Sequence, residues 1–253
     1  MNWIGLWTLT SREVGRFFKV YRQTVIPGLI SSVLYILIFG FTLEKRISSI
    51  EGIPYTIFII PGLIMMNTLT NASSNPSSSL LQMKLTGQVP DLLQAPLSSL
   101  EISLAFIIGG VVRGVVNGIL ILLIGILIGG MNVEHPLATI GFIFIVSIAF
   151  SSMGLLLGQL ADTWDQLSTM QNFFLTPLSF LGGIFYSISM LPEWAQAISA
   201  FNPIYYMING LRYTILGFSD SNPQYSFAIA FLMSIGLSII AILSMNSGKN
   251  MKQ

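Results

Sequence analysis

Apolar runs broken by short polar stretches recur along the chain, at Thr24 to Leu43, Tyr55 to Ala72, Ile102 to Gly129, Leu137 to Gly158, Leu167 to Ile188 and Tyr225 to Met245. Each is close to, or beyond, the roughly 20 residues that a helix needs to cross a ~30 Å hydrocarbon core, and none alternates as an outer-membrane barrel strand does. The pattern predicts an all-α integral membrane protein with six transmembrane helices in a single domain spanning residues 1–253. Ahead of the first run, Trp3, Leu6, Trp7, Val14, Phe17, Phe18 and Tyr21 share one helical face at about 100° per residue. Arg12, Glu13, Arg16 and Lys19 lie opposite, so residues 1–22 are expected to form an amphipathic helix lying on the cytosolic leaflet. Such a helix anchors in lipid and also offers a docking surface for a cytosolic partner.

The connection 73–99 carries helix signals of its own. Asn75 suits an N-cap, Pro76 the first helical position and Gly87 a stop, which predicts a short cytosolic helix from Pro76 to Thr86 containing Leu80, Leu81, Lys84 and Leu85. A capped helix between two spans is a lever, or else an ordinary amphipathic loop helix on the membrane. Two prolines follow, and then Ser98-x-x-Glu101 has the spacing of a capping box, so the third long helix starts near Ser99. Carried to Gly129 it covers about 31 residues, or roughly 46 Å, and its first turns stand outside the hydrocarbon. Gly110, Gly114 and Gly118, then Gly125 and Gly129, recur four apart and make a flat face for a close neighbour in this chain or another.

Phe174 to Gly217 is too apolar for a surface loop, yet Pro, Gly, Asn and charge interrupt it too often for two clean crossings. Irregular backbone at membrane depth persists only where protein or a water-filled cavity satisfies its polar groups. This stretch is therefore expected to build a pathway or its cap, with Glu193 and Arg212 near its water-facing edge.

Composition strengthens the membrane assignment. The chain is 53% hydrophobic and 8% charged, with a mean hydropathy of +0.77, far from the roughly quarter-charged composition of soluble domains. The cytosolic remainder is too small for a nucleotide-hydrolysing domain, so any ATPase must be another subunit. Net charge is only +1, but its distribution orients the chain. With the N-terminus in the cytosol, Arg12, Arg16, Lys19, Arg22, Lys84, Lys249 and Lys252 fall inside, against Lys45, Arg46 and Arg212 outside. Cysteine is absent, which excludes disulfides, a catalytic thiol and thiolate metal sites. The basic residues of the N-terminus follow its first apolar ones, so a cleavable signal peptide is not expected.

Candidate chemistry is sparse. No G-x-x-x-x-G-K-[ST] phosphate loop occurs, and His135 stands alone beside Pro136 in a short turn, which leaves little material for metal clusters, proton relays or a catalytic triad. No catalytic residue and no metal or cofactor site is expected in this chain. Asp162 and Asp165 lie in a turn between spans rather than within one, which weakens an ion-coupled transporter. Arg113 is the basic residue inside an apolar span. It either snorkels and pairs between helices or, with Asn117 one turn on, lines a polar cavity. Asn67, Asn71 and Asn172 likewise suit a pathway or interhelical hydrogen bonds.

Several segments together resemble the permease subunits of ATP-binding-cassette exporters of the ABC-2 type, in the NodJ-like and YadH-like branch. They are Pro61-Gly62-Leu63-Ile64-Met65, Leu92-Leu93-Gln94-Ala95-Pro96, Arg113-Gly114 and Thr176-Pro177-Leu178 with Leu181-Gly182-Gly183-Ile184-Phe185-Tyr186. Leu191-Pro192 and Asn202-Pro203-Ile204-Tyr205-Tyr206 follow in the same order, with Gly210 and Arg212. Single pieces are weak signals, but their order and spacing are specific. The resemblance implies a multi-pass protein of the bacterial inner membrane with both termini cytosolic. It further implies a permease homodimer, two ATPase subunits on which ATP and Mg act, and outward movement of a lipid-, saccharide- or drug-like substrate. It makes Pro76 to Thr86 a coupling helix, with Asp162 and Asp165 nearby. Residues 185–217 become an outer re-entrant hairpin carrying Phe185, Tyr186, Pro192, Glu193, Asn202, Pro203 and Arg212. An ion-coupled or passive transporter, or a non-transporting membrane scaffold, are the alternative classes.

Overall fold

The computed structural model describes residues 2–40, 42, 47 and 49–248. Lys45, Arg46, Lys249 and Lys252, which bear on orientation, lie outside these residues, as does Leu43.

Helix α1, Trp3–Lys19, starts where the Asn2 side chain accepts from the Gly5 amide at 3.0 Å, and its last turn carries Arg16 and Lys19, which suit the negative end of the helix dipole. Its apolar residues serve two neighbours rather than one. Leu6, Leu9 and Phe17 pack into the protein, whereas Trp3 and Trp7 stay 68% and 74% exposed. Glu13 departs from its expected place on a solvated face and is 0% exposed. The reason is Gly109, whose missing side chain leaves the room that Glu13 Cβ fills.

The chain then turns through α2, Tyr21–Thr24, into α3, Ile26–Tyr35, and a π-turn at Ile36–Gly40. A two-residue hairpin pairs β1, Ser49–Ile50, with β2, Ile53–Pro54, across Glu51 and Gly52, both at positive φ. From it α4, Tyr55–Leu85, runs as one helix of 31 residues with Pro61 and Pro76 inside. The short capped helix expected from Pro76 to Thr86 is thus the last third of α4. The expected stop is present, because Gly87 takes φ +68° and Gln88 N donates back to Met83 O at 2.9 Å. The expected start is absent: Ser77 and Ser78 hydroxyls donate to Ser73 O and Ser74 O at 2.8 and 2.6 Å and brace the backbone around the proline.

Helix α5, Val89–Gln94, follows. Then α6, Ser99–Gly129, opens on the expected capping box, with Ser98 N donating to Glu101 Oε2 at 2.7 Å and Glu101 N to Ser98 Oγ at 3.3 Å. The remaining helices are α7, Pro136–Leu160; α8, Trp164–Leu181; α9, Glu193–Ala200; α10, Pro203–Leu216; and α11, Pro223–Ser247. Asn202 and Asn222 cap α10 and α11 by accepting from Ile204 N and Gln224 N.

Packing centres on α4, clasped by α6 and α7. The glycines of α6 select these neighbours within the chain. A Cβ at Gly114 would lie 2.8 Å from both Ala72 Cβ and Ser147 Oγ, and one at Gly129 would lie 2.8 Å from Ile60. On α7, Gly158 meets Ser77 of α4 just as closely. Without lipid–water contrast to drive association, such close backbone approach supplies the dispersion that holds membrane helices together.

Five helical segments among the described residues are long and apolar enough to cross a membrane: Tyr21–Gly40, α4, α6, α7 and α11. The expected fifth crossing, Leu167 to Ile188, stops at Leu181, where Gly182 and then Gly183 at φ +81° end the helix. Helix α8 is left with 18 residues and too many polar ones to qualify. The end of the bundle holding α1, α5 and the C-terminus of α11 is called basal below, and the end holding α9 and α10 apical.

Candidate functional site

At the basal end, Lys84 and Asp162 come together. Lys84 Nζ donates to the carbonyls of Gln159 and Ala161 at 2.6 and 3.0 Å and lies 3.5 Å from Asp162 Oδ1. The last carbonyls of a helix have no partners within it and carry the negative end of its dipole, so the ammonium caps α7 from the end of α4. On α4, Leu80 and Leu81 about one turn back from Lys84 and Pro76 two turns back are buried, while Leu85, Asp162 and Asp165 are exposed. Between α1 and α5 runs an apolar groove of about 430 Å³ lined by Leu9, Met83, Leu92 and Leu97 among others. On the rim α5 exposes Asp91 and Leu93.

Midway along the bundle, four of the five polar residues singled out in the sequence form a ladder. Asn67 Nδ2 donates to Ser32 Oγ at 2.9 Å, and Asn71 Nδ2 to Asn67 O at 3.0 Å. Arg113 Nε donates to Asn71 Oδ1 at 3.0 Å, and Asn117 Nδ2 to Arg113 O at 2.9 Å. Asn172 stands apart on α8, exposed beside Asp165, Ser168, Thr169 and Phe173 around a shallow hollow of about 530 Å³. Next to it, Gln171 Nε2 donates to Ser77 Oγ at 2.9 Å and joins α8 to α4. On the outward side of this junction Thr70 is exposed and Ser74 half-buried.

Two further polar clusters bring together residues that the sequence analysis does not link. One sits where α1 crosses α4: Arg16 Nη2 donates to Asn75 O and Asn75 Oδ1 at 2.7 and 3.1 Å, with Glu13 3.8 Å from Arg16 Nε. Burial pushes the Arg16 guanidinium below its usual range, and the Glu13 carboxylate opposes that shift. The signal for it in the sequence is Gly109, which lets α1 approach closely enough to bury Glu13.

The other is apical. Arg212, expected near a water-facing edge, is instead 0% exposed. Its Nη1 pairs with Asp220 Oδ2 at 3.1 Å, its Nη2 donates to Gly183 O at 2.8 Å, and its guanidinium lies 4.0 Å from the Phe58 ring centroid. Burial this complete is tolerated because an acid, a carbonyl and an aromatic face replace water around the cation. Asp220 N and Ser187 Oγ complete the knot with Asn209 Oδ1 and Asp220 Oδ1 respectively. Around it Phe185 stacks among Tyr35, Phe39 and Phe180, and Tyr186 Oη donates to Phe180 O at 2.9 Å. Asn202 Nδ2 donates to Leu178 O at 2.6 Å, which ties the start of α10, at Pro203, back to α8. Pro192 and Glu193 remain exposed at the start of α9.

Apolar helices around polar ladders, with irregular backbone tied down at one end, define a multi-pass helical membrane protein. Residues 5–216 match the family described as ABC-2 type transporter. Over its whole length the chain is 35% identical to the inner membrane transport permease YadH of Escherichia coli strain K12, covering 98% of that protein. It is 24% identical to nodulation protein J of Rhizobium leguminosarum bv. viciae, over 86% of this chain and 83% of that one. It is 28% identical to the putative transport permease ycf38 of Cyanophora paradoxa, over 90% and 81% respectively. The chain belongs to the ABC-2 type transporter family, as a permease of the inner membrane.

Proposed function

We propose that this chain is the permease subunit of an ATP-driven exporter, working as a pair of copies above two ATPase subunits that bind ATP and Mg. The observation that carries this reading is the polar strip that α4 and α8 turn outward, comprising Thr70, Ser74, Ser168, Thr169, Asn172 and Thr176. The Thr70 hydroxyl donates to Met66 O at 2.9 Å, but hydrocarbon would leave the Asn172 amide without a partner, so this side is the one that faces a second copy and the path between them. Substrates with polar heads or rings, of the lipid, saccharide or drug-like kinds, suit such a lining.

In this reading the basal end is cytosolic, both termini lie there, and six segments traverse or enter the membrane. The ATPases press on the surface made by α5, the exposed Asp162–Asp165 turn and the rim of α1. The end of α4 carries that displacement inward. Residues 185–217 form the outer re-entrant hairpin that shapes the exit.

Absence of cysteine makes the test direct. Single cysteines at Thr70 and at Asn172 are expected to cross-link between copies on oxidation in membranes, whereas a cysteine at exposed Leu232 of α11 is not. Reconstituted with its ATPase, the chain should move substrate only with ATP. Alone it should neither hydrolyse ATP nor transport. Transport by the chain alone would sink the ATP-driven reading.

A further inference from the structure

We infer that the hollow on the outward face of α8 binds the charged head of a hydrophobic organic cation, an amine or onium with an apolar body, at the basal entrance of the path. The inference rests on the reading of the α4 and α8 side as that path, and it narrows the substrates to one charge class. The hollow, of about 530 Å³, is lined by Asp165, Ser168, Thr169, Asn172 and Phe173. Pockets that take drug-sized ligands run to roughly 300–1,000 Å³. The three- and four-residue steps along α8 set these side chains on one face, from the basal turn to about 12 Å further in at 1.5 Å per residue.

Polar side chains around α8 are of two kinds. Thr163, Gln166 and Gln171 are engaged within the fold: Thr163 Oγ1 accepts from Gln166 N at 3.2 Å, Gln166 Oε1 accepts from Asp162 N at 2.9 Å, and Gln171 Nε2 donates to Ser77 Oγ. Ser168, Thr169 and Asn172 are exposed, and their side chains have no hydrogen-bond partner among the described residues. The hydroxyls of Thr70, Ser77 and Ser78 on α4, by contrast, turn back onto carbonyls of their own helix. The groups in the hollow are therefore free to meet a ligand.

Charge then selects among polar ligands. Asp165 has no ion-pair partner among the described residues, and no cation lines the hollow, whereas the neighbouring Asp162 is answered by Lys84 at 3.5 Å. A cleft that bears one sign of charge beside apolar walls concentrates ions of the other sign. In a pair of copies two such carboxylates flank one path, so a cationic head is drawn to the entrance and an anionic one is repelled there. Phe173, two turns inward from Asp165 and 77% exposed, offers its ring face to the cation and apolar surface to the body of the ligand.

The test uses the full chain in detergent without an ATPase, so that docking at the Asp162–Asp165 turn does not enter. Its readout is equilibrium binding of two probes alike in shape and opposite in charge, tetraphenylphosphonium and tetraphenylborate. Uptake of each probe by the micelle is common to all variants and cancels between them. The wild type is expected to bind the cation saturably. Asp165→Asn should weaken the cation about fivefold, the scale of a partly screened ion pair, without weakening the anion, and Asp165→Glu should restore the cation. Thr169→Lys keeps the carboxylate but puts a positive charge in the hollow, so it should weaken the cation and strengthen the anion, which a steric effect would not do. Unchanged cation binding in Asp165→Asn overturns the site, as does a Thr169→Lys variant that binds both probes like the wild type. Equal weakening of both probes overturns the charge selection. Copies that cross-link at Thr70 and Asn172 without these charge effects would keep the paired path and lose the cation, whereas the charge effects without cross-linking would keep the cation site and lose the paired path.

Discussion

Lys84 Nζ, at the end of α4, lies 2.6 Å from the Gln159 carbonyl near the end of α7. One ammonium thereby joins two helices that the sequence separates by 75 residues. Lys84→Met keeps the buried stem but loses every donor, and charged hydrogen bonds of this kind contribute roughly 1.5–3 kcal/mol each. We expect a lower melting temperature in detergent and, in the assembled transporter, ATP hydrolysis that outruns transport. Lys84→Arg should recover much of the stability. Unchanged melting in Lys84→Met would show that the contact carries no weight.

The Arg212–Asp220 pair makes a sharper prediction. Asp220→Ala leaves a fully buried guanidinium without its acid, a change that typically costs about 3–5 kcal/mol. Replacing both residues by leucine should cost less than Asp220→Ala alone, because no charge is stranded. Thermal unfolding of the three variants in one detergent decides the matter. A double variant worse than the single would mean that the pair is net stabilising rather than merely self-compensating.

Close approach of α7 to α4 can be tested with one methyl group. A Cβ on Gly154 would run into the Ser73 backbone, whereas one on Gly141, on the same helix, meets nothing within 4 Å. Gly154→Ala should lower the folded yield in membranes severely and Gly141→Ala should not, as measured by size-exclusion profiles of the extracted protein.

Coupling is best probed on α5. Leu81 is fully buried, so a charge there would unfold the bundle and say nothing about a partner. Leu93 is 48% exposed on α5. Leu93→Asp should leave the melting temperature within a few degrees of wild type while weakening co-purification of the ATPase. Normal assembly and transport by Leu93→Asp would remove α5 from the docking surface.

Features set by a few neighbouring residues are legible in the sequence: the Ser98–Glu101 capping box, the Gly87 stop and the four-residue glycine spacing of α6 all stand as expected. Features set by neighbours distant along the chain are not. Pro76 after Asn75 looks the same at a helix start as inside a helix. It is interior here because serine hydroxyls brace the surrounding turns and Arg16 occupies the Asn75 side chain that would otherwise serve as the cap. Glu13 reads as solvated because its burial depends on Gly109, and Arg212 reads as peripheral because Asp220, Gly183 and Phe58 assemble around it only in the fold. The early end of α8 is in principle legible, since Gly182-Gly183 is a helix terminator, but the apolar residues past it outweigh that signal.

Helix α4 spans nearly the full height of the bundle. Tyr55 at its start donates its hydroxyl to Phe185 O at 3.1 Å, and Lys84 near its end grips α7. Those residues are 29 apart, or about 44 Å at 1.5 Å per residue. Both internal prolines are buried among the neighbouring helices, so the places where the helix would bend are splinted. A tilt of about 5° about its midpoint would therefore move the two ends by roughly 2 Å in opposite directions. In such a seesaw the two ends of the bundle would share one clock: a shift of the basal tip would reach the aromatic nest around Phe185 with no separate signal relayed between them.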